Sequence, residues 1–138
     1  LMAKIDNVLQ LMGGWSVLTI VLVIMWGSAL AAAVMNNVSF TAAMVTVVAS
    51  FIAATPAFRD SVECQHLLWW GLALSVCLGG NASLVGAAAN LVTVGIAEKN
   101  GYKVSFSQFL VYGVPVTLGS MVLASIYIIV RYYLYCQG

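Results

Sequence analysis

The side chains in this sequence best placed to do chemistry are amides and hydroxyls, not acids and bases. Asn36-Asn37-Val38-Ser39 and Asn81-Ala82-Ser83 each place polar groups inside a long apolar run. Asn37-Val38-Ser39-Phe40-Thr41-Ala42-Ala43 and Asn81-Ala82-Ser83-Leu84-Val85-Gly86-Ala87 share the pattern Asn-x-Ser-apolar-x-x-Ala. A helix that begins at such a point leaves backbone N–H groups free and carries partial positive charge. Two such starts converging inside a membrane would bind an anion or an oxygen-rich solute. The unwound carbonyls ahead of them would suit a coupling cation such as Na⁺. Gly79 and Gly80 precede the second motif and release the backbone there. Asn36, Asn37, Ser39 and Thr41 thus form one candidate wall, and Gly79, Gly80, Asn81 and Ser83 the other. Asn90 lies further along the second element and joins the candidate set, with Thr93 a weaker member. The competing reading makes the Asn and Ser residues interhelical hydrogen bonds, worth about 0.6 kcal/mol each. Asn37-Val38-Ser39 and Asn81-Ala82-Ser83 also match the glycosylation acceptor pattern, which is discounted because both fall within expected membrane segments.

Other chemistries find little support. General acid–base or nucleophilic catalysis needs a poised base or nucleophile pair, and the single histidine, His66, falls in a polar stretch at 57–66. No enzyme is expected. Glu63, Cys64 and His66 lie close in sequence, but a short polar loop explains them better than a metal site. Cys64, Cys77 and Cys136 show neither a disulfide framework nor metal-ligand spacing.

The composition says where these groups must work. The 138 residues include 5 Lys+Arg and 4 Asp+Glu, so 7% are charged, against 63% hydrophobic. The mean hydropathy is +1.05. So few charges cannot solvate the surface of a small water-soluble domain, and disorder requires the opposite composition. An integral membrane protein remains, with the lipid bilayer as its surroundings. A net charge of +1 offers no basic patch for nucleic acid. All of the charged residues fall outside the apolar runs. The chain begins at Leu1 with no leader-like pattern, and reads as a segment of a longer protein.

Several elements must position the two motifs. Residues 1–13 repeat apolar positions at three- and four-residue steps and read as an interfacial helix. A straight helix over 17–54 would be about 57 Å long, nearly twice the membrane core. The chain must break, and the Asn pair is the natural place. Residues 17–54 are therefore expected to form a re-entrant hairpin whose second arm begins near Thr41 and stops at Thr55-Pro56. Small residues in the second half of the first arm (Gly27 to Ala33) favour packing against protein. After the loop at 57–66, residues 67–97 are expected to make one broken helix. It is interrupted at Gly79-Gly80-Asn81, with Asn81 and Ser83 capping a second half from Leu84. Phe106, Phe109 and Tyr112 read as a short interfacial piece, and the last helix is expected over 115–135, starting at Pro115. Two lysines in the 98–104 loop against one arginine at 57–66 make the 98–104 loop the better cytoplasmic candidate, with Arg131 at the opposite end weighing slightly against it.

At these residues the sequence resembles a known family. Trp26-Gly27-Ser28-Ala29-Leu30 through Met44, and Cys77-Leu78-Gly79-Gly80-Asn81-Ala82-Ser83-Leu84-Val85-Gly86-Ala87-Ala88-Ala89-Asn90, are similar to two signatures of the ion transporter superfamily. The nearest branch looks like the group of arsenite permeases, NhaD-type sodium/proton antiporters and melanosomal P proteins. Sodium-coupled dicarboxylate and citrate carriers are more distant. The resemblance implies an all-α membrane fold forming half of an inverted-repeat transporter: a re-entrant hairpin, one broken transmembrane helix and a final helix. The N-terminal inverted repeat of the same protein would complete the site, and a homodimer is allowed. The family commonly carries Asp-Asn-x-Pro at the hairpin tip. Here Asn36 stands in place of the Asp and Ser39 in place of the Pro, so Asn36 cannot take up a proton.

The expected function is secondary active transport of a small ion by alternating access, either an inorganic anion or arsenite-like solute, or Na⁺/H⁺. A dicarboxylate or citrate carrier is the alternative within the class. A non-transporting membrane scaffold or accessory subunit is the alternative outside it. No cofactor or metal is expected beyond a coupling Na⁺.

Overall fold

The computed structural model describes residues 16–136, so the interfacial helix expected at 1–13 lies outside the described residues. Among the described residues the chain is mostly helical and has no strand. It runs α1 (Val17–Val34), α2 (Asn37–Ala54), a short α3 (Pro56–Arg59), α4 (Val62–Gly79), a 3₁₀ turn (Gly80–Ala82), α5 (Ala88–Lys99) and α6 (Phe106–Arg131). A π-helical end at Tyr132–Cys136 extends α6. Helices α1, α2 and α6 with its extension are long and apolar enough to cross a membrane. Together with the composition, this makes the protein an integral membrane protein.

The break between α1 and α2 is short and sharp. Met35 (φ −107°, ψ 154°) leaves the helical region, and Asn36 caps the helix that follows, its Oδ1 accepting from the Val38 N–H at 3.0 Å. Because α2 starts at Asn37 and not at Thr41, both arms have 18 residues, or about 27 Å each. The polar stretch at 57–66 is not a loop. Pro56 starts α3, where its missing N–H costs nothing. Ser61 then caps α4, accepting from the Cys64 N–H at 3.4 Å, with Glu63 in the first turn.

The core forms where α1 and α6 lie on α4. Gly71, Ser75 and Gly79 recur every four residues on α4 and are all buried. Such a stripe of small residues lets backbones approach closely, and α1 fills it. A Cβ at Gly71 would sit 3.3 Å from Val21 Cγ1, and one at Gly79 would lie 2.7 Å from Ala29 Cα. The constant offset along the two helices means that α1 and α4 run parallel. Met25, Ala29 and Ala32 of α1 pack into one core with Leu68, Leu72 and Val76 of α4 and Met121, Ala124 and Ile128 of α6. Within the small-residue half of α1, Ser28, Ala29 and Ala32 are buried while Gly27 faces outward.

Helix α6 runs antiparallel to α4. Thr117 Oγ1 donates to Leu78 O at 3.4 Å, and at the other end Cys136 is disulfide-bonded to Cys64, with Cα atoms 5.6 Å apart. The cysteine spacing showed no disulfide framework, and the structure supplies this bridge. Seventy-two residues of sequence separate the pair, and only the antiparallel packing brings them together. The last helix also begins earlier than Pro115. Ser105 and Gln108 form a capping box (3.0 and 3.2 Å), so the aromatic piece at Phe106 to Tyr112 is the first part of α6 and Pro115 lies inside it.

Helices α2 and α5 are the least covered. Helix α2 buries only Val48 and Phe51, and α5 buries no residue.

Candidate functional site

The second break differs from the expected one. Asn81 and Ser83 do not cap a half-helix at Leu84. The chain passes through the 3₁₀ turn and an irregular stretch over 83–87, and α5 starts only at Ala88, with no side-chain cap at Ala87. The reason lies in Ser83. Its Oγ accepts from the Gly86 N–H at 3.1 Å, and its hydroxyl donates to Ala33 O across the gap to α1. A side chain engaged in this local turn and in α1 cannot also cap a helix. Asn90 then stitches the break from the far side, its Nδ2 donating to Gly80 O (3.0 Å) and Ser83 O (2.9 Å).

The two breaks meet. The backbone N–H of Asn37, the first residue of α2, donates to Gly86 O at 3.1 Å. The Asn37 side chain approaches Gly80 so closely that a Cβ there would lie 3.4 Å from Nδ2. Gly86 makes room for this: a Cβ on it would come within 2.6 Å of Gly80 O and 2.9 Å of Ala32 O. From the third side, Gly113 of α6 packs flat on the turn, where a Cβ would meet Asn81 O at 2.8 Å and Ala82 O at 2.9 Å.

The sequence-derived candidates divide by what their polar groups do. Asn37, Gly80, Ser83 and Asn90 are brought into one linked cluster, and Gly79 is held against Ala29. Thr41 donates to Asn37 O at 2.7 Å, and Thr93 to Ala89 O at 2.8 Å, so both hydroxyls are satisfied by their own helices. Asn36 is exposed and engaged through Oδ1 as a cap. Ser39 and Asn81 are exposed, and among the described residues their side chains make no hydrogen bond. Gly86 and Gly113 were missed. Gly86 lay inside the second motif as a small residue between apolar ones, and Gly113 carried no signal beyond standing two residues before Pro115.

Around the breaks the field comes from amides, hydroxyls and peptide dipoles. Among the described residues the charged side chains stay at the two edges: Arg59, Asp60 and Glu63 by α3 and α4, Glu98 and Lys99 at the end of α5 with Lys103 in the turn that follows, and Arg131 at the end of α6. Arg59 and Asp60 pair at 3.2 Å while remaining largely exposed. Among the described residues no group of His, Cys, Asp or Glu is arranged to hold a metal ion, and no buried side-chain polar atom lacks a partner.

This arrangement defines an all-helical integral membrane protein built around two facing chain breaks. Its relatives agree with that class. The chain is 39% identical over 112 residues to the P protein of Mus musculus, covering 81% of this chain and 13% of that protein. It is 38% identical over 122 residues to a 46 kDa membrane protein of Mycobacterium leprae (88% and 27%). To a protein of Mycobacterium tuberculosis named an uncharacterized transporter it is 36% identical over 126 residues (91% and 28%). The chain therefore spans well under a third of the length of these relatives. No family model matches it, and no solved structure does.

Proposed function

We propose that this chain supplies half of the solute site of a secondary transporter that moves a small ion by alternating access. The observation that carries this reading is the contact between the two breaks, through the Asn37 N–H on Gly86 O and the Asn37 side chain against Gly80. Two interrupted helical elements meeting at their breaks is the arrangement by which transporters bind solute away from bulk water. Relatives named as transporters support the same class. In this reading α1 and α2 are the arms of a re-entrant hairpin. Both begin or end at the edge of Arg59 and Asp60, and the tip meets the interrupted α4–α5 element about 27 Å from the start of α4.

The candidate residues then take two roles. Gly79, Ser83, Thr41 and Asn90 hold the frame, because their groups are engaged within the protein. Asn36, Asn37, Ser39 and Asn81, with the backbone at Gly80, offer amide and hydroxyl groups to the solute. Amide N–H groups and the start of α2 suit an anion or a neutral oxyacid, and amide carbonyls suit Na⁺. An inorganic anion or arsenite-like solute, or Na⁺, fits a site without an ionised side chain. A dicarboxylate would need further cationic or polar groups from the rest of the protein. The uncovered faces of α2 and α5 are where an N-terminal inverted repeat would pack and bring the second half of the site.

The test is flux into vesicles reconstituted with the full-length protein, run against arsenite, Na⁺/H⁺ exchange and citrate. Asn37→Ala and Asn81→Ala are each expected to lower transport of the cargo at least tenfold, with the protein still inserted and monodisperse. Unchanged flux in both variants would leave the tips as packing and overturn the site assignment, whereas a parent protein that carries none of these solutes would favour a scaffold.

A further inference from the structure

The edge that carries Arg59, Asp60 and Glu63 also carries the Cys64–Cys136 disulfide. We propose that this bond forms on the non-cytoplasmic side of the membrane and so fixes the orientation of the chain. Both arms of the hairpin then open to that side, and the loop between α5 and α6 faces the cytoplasm.

The argument starts from redox chemistry. Joining the two thiols removes two electrons and two protons. A disulfide of the thiol–oxidoreductase class accepts them by exchange, leaving as a dithiol while the protein keeps the bridge. Such donors act outside the cytoplasm, and the cytoplasmic glutathione pool drives the reverse exchange. The Cα separation of 5.6 Å is the ordinary spacing for a bridge. Both cysteines sit at helix ends beside charged and aromatic residues: Cys64 follows Glu63 in the first turn of α4, and Cys136 follows Tyr132, Tyr133 and Tyr135. Cys77, inside α4, stays a free thiol.

The packing carries this local assignment across the structure. Helix α6 is antiparallel to α4, with Thr117 on Leu78 and Gly113 on Asn81, so its first residue lies towards the opposite edge. Lys99 and Lys103, on either side of that turn, are thereby placed on the cytoplasmic side. Helix α1 is parallel to α4 and starts at the disulfide edge, and α2 returns to it. Charge alone does not decide the orientation. Lys99 and Lys103 at one edge are matched by Arg59 and Arg131 at the other, and the positive-inside rule counts only such residues.

The experiment uses the full-length protein in sealed membrane vesicles of known sidedness. Cysteines introduced as Asp60→Cys and Tyr102→Cys are exposed to a membrane-impermeant maleimide, and labelling is read on their proteolytic peptides. Asp60→Cys is expected to react only from the non-cytoplasmic side and Tyr102→Cys only from the cytoplasmic side; the mirrored pattern overturns the proposal. In the parent protein, denaturing alkylation is expected to modify Cys77 at once, and Cys64 and Cys136 only after reduction. Finding Cys64 and Cys136 both free before reduction also overturns it. Cys136→Ser is expected to release Cys64 for alkylation. None of these readouts depends on what the protein carries, so they stand or fall separately from the transport reading.

Discussion

Adding one methyl group at Gly79 is the most direct test of how the first arm is held. A Cβ there would lie 2.7 Å from Ala29 Cα and 2.9 Å from its carbonyl carbon. Carbon atoms rest at about 3.5–4.0 Å, so α1 and α4 must part by roughly 1 Å at this point. The obstacle is backbone, which no rotamer change can move aside. Overpacking of this kind costs about 1–3 kcal/mol, and one or two kcal/mol is already a factor of about 5–30 in the folded population. The shift also pulls Ala33 away from the Ser83 hydroxyl and Ala32 away from Gly86, so the damage extends to the meeting point of the two breaks. Gly27→Ala on α1 is the comparison, since a Cβ there meets nothing within 4 Å. Both variants of the full-length protein are heated in detergent, and the fraction remaining monodisperse is measured by size exclusion. Gly79→Ala is expected to melt several degrees lower and to lose transport, while Gly27→Ala stays within about 0.5 kcal/mol of the parent. Parent-like melting and flux for Gly79→Ala would refute the close approach and the parallel register built on it.

Two further outcomes follow from the breaks. Asn90→Leu removes both donors to Gly80 O and Ser83 O, at about 0.5–1.5 kcal/mol per bond; lower thermal stability and faster amide exchange over 80–87 are expected, and parent-like exchange there would count against the stitch. Asn36→Asp keeps a good N-cap, since Asn and Asp cap equally well, so stability should hold. It also introduces a proton-binding group at the tip, so flux is expected to gain a pH dependence through the carboxylate range, measured by vesicle uptake across pH 4 to 7.

Much of this fold was legible in the sequence because the membrane makes polar residues conspicuous. The Asn36-Asn37 break could be located because a helix of unbroken length exceeds the bilayer, and it falls where the amides are. The second break was legible as a place but not as a shape. Gly79-Gly80 marked it, yet Ser83 turns back to Gly86 and across to Ala33, a contact 50 residues away that no local pattern encodes. The same limit explains α3 and α4. Charged residues at 57–66 read as loop, but Pro56 and Ser61 are helix-starting residues, and the helices won. Pro115 read as a start because proline favours the first turn of a helix, whereas the Ser105–Gln108 capping box starts α6 about two and a half turns earlier. The Cys64–Cys136 pairing depends entirely on the antiparallel packing of α4 and α6. Among the candidate site residues, types and spacing drew attention to Asn37, Gly80, Ser83 and Asn90, which meet in space. They could not say which of the polar groups are consumed in holding the breaks together.

The disulfide also has a consequence in time. Cys64 is made long before its partner: with 72 residues between them, ribosomal synthesis at about 5–20 residues per second separates the two by roughly 4–14 s. Throughout that interval the Cys64 thiol is without its partner. The bond can close only after α6 has formed and docked against α4. Closure is therefore a chemical record that this part of the chain has finished assembling, readable as loss of a free thiol in pulse-labelled protein.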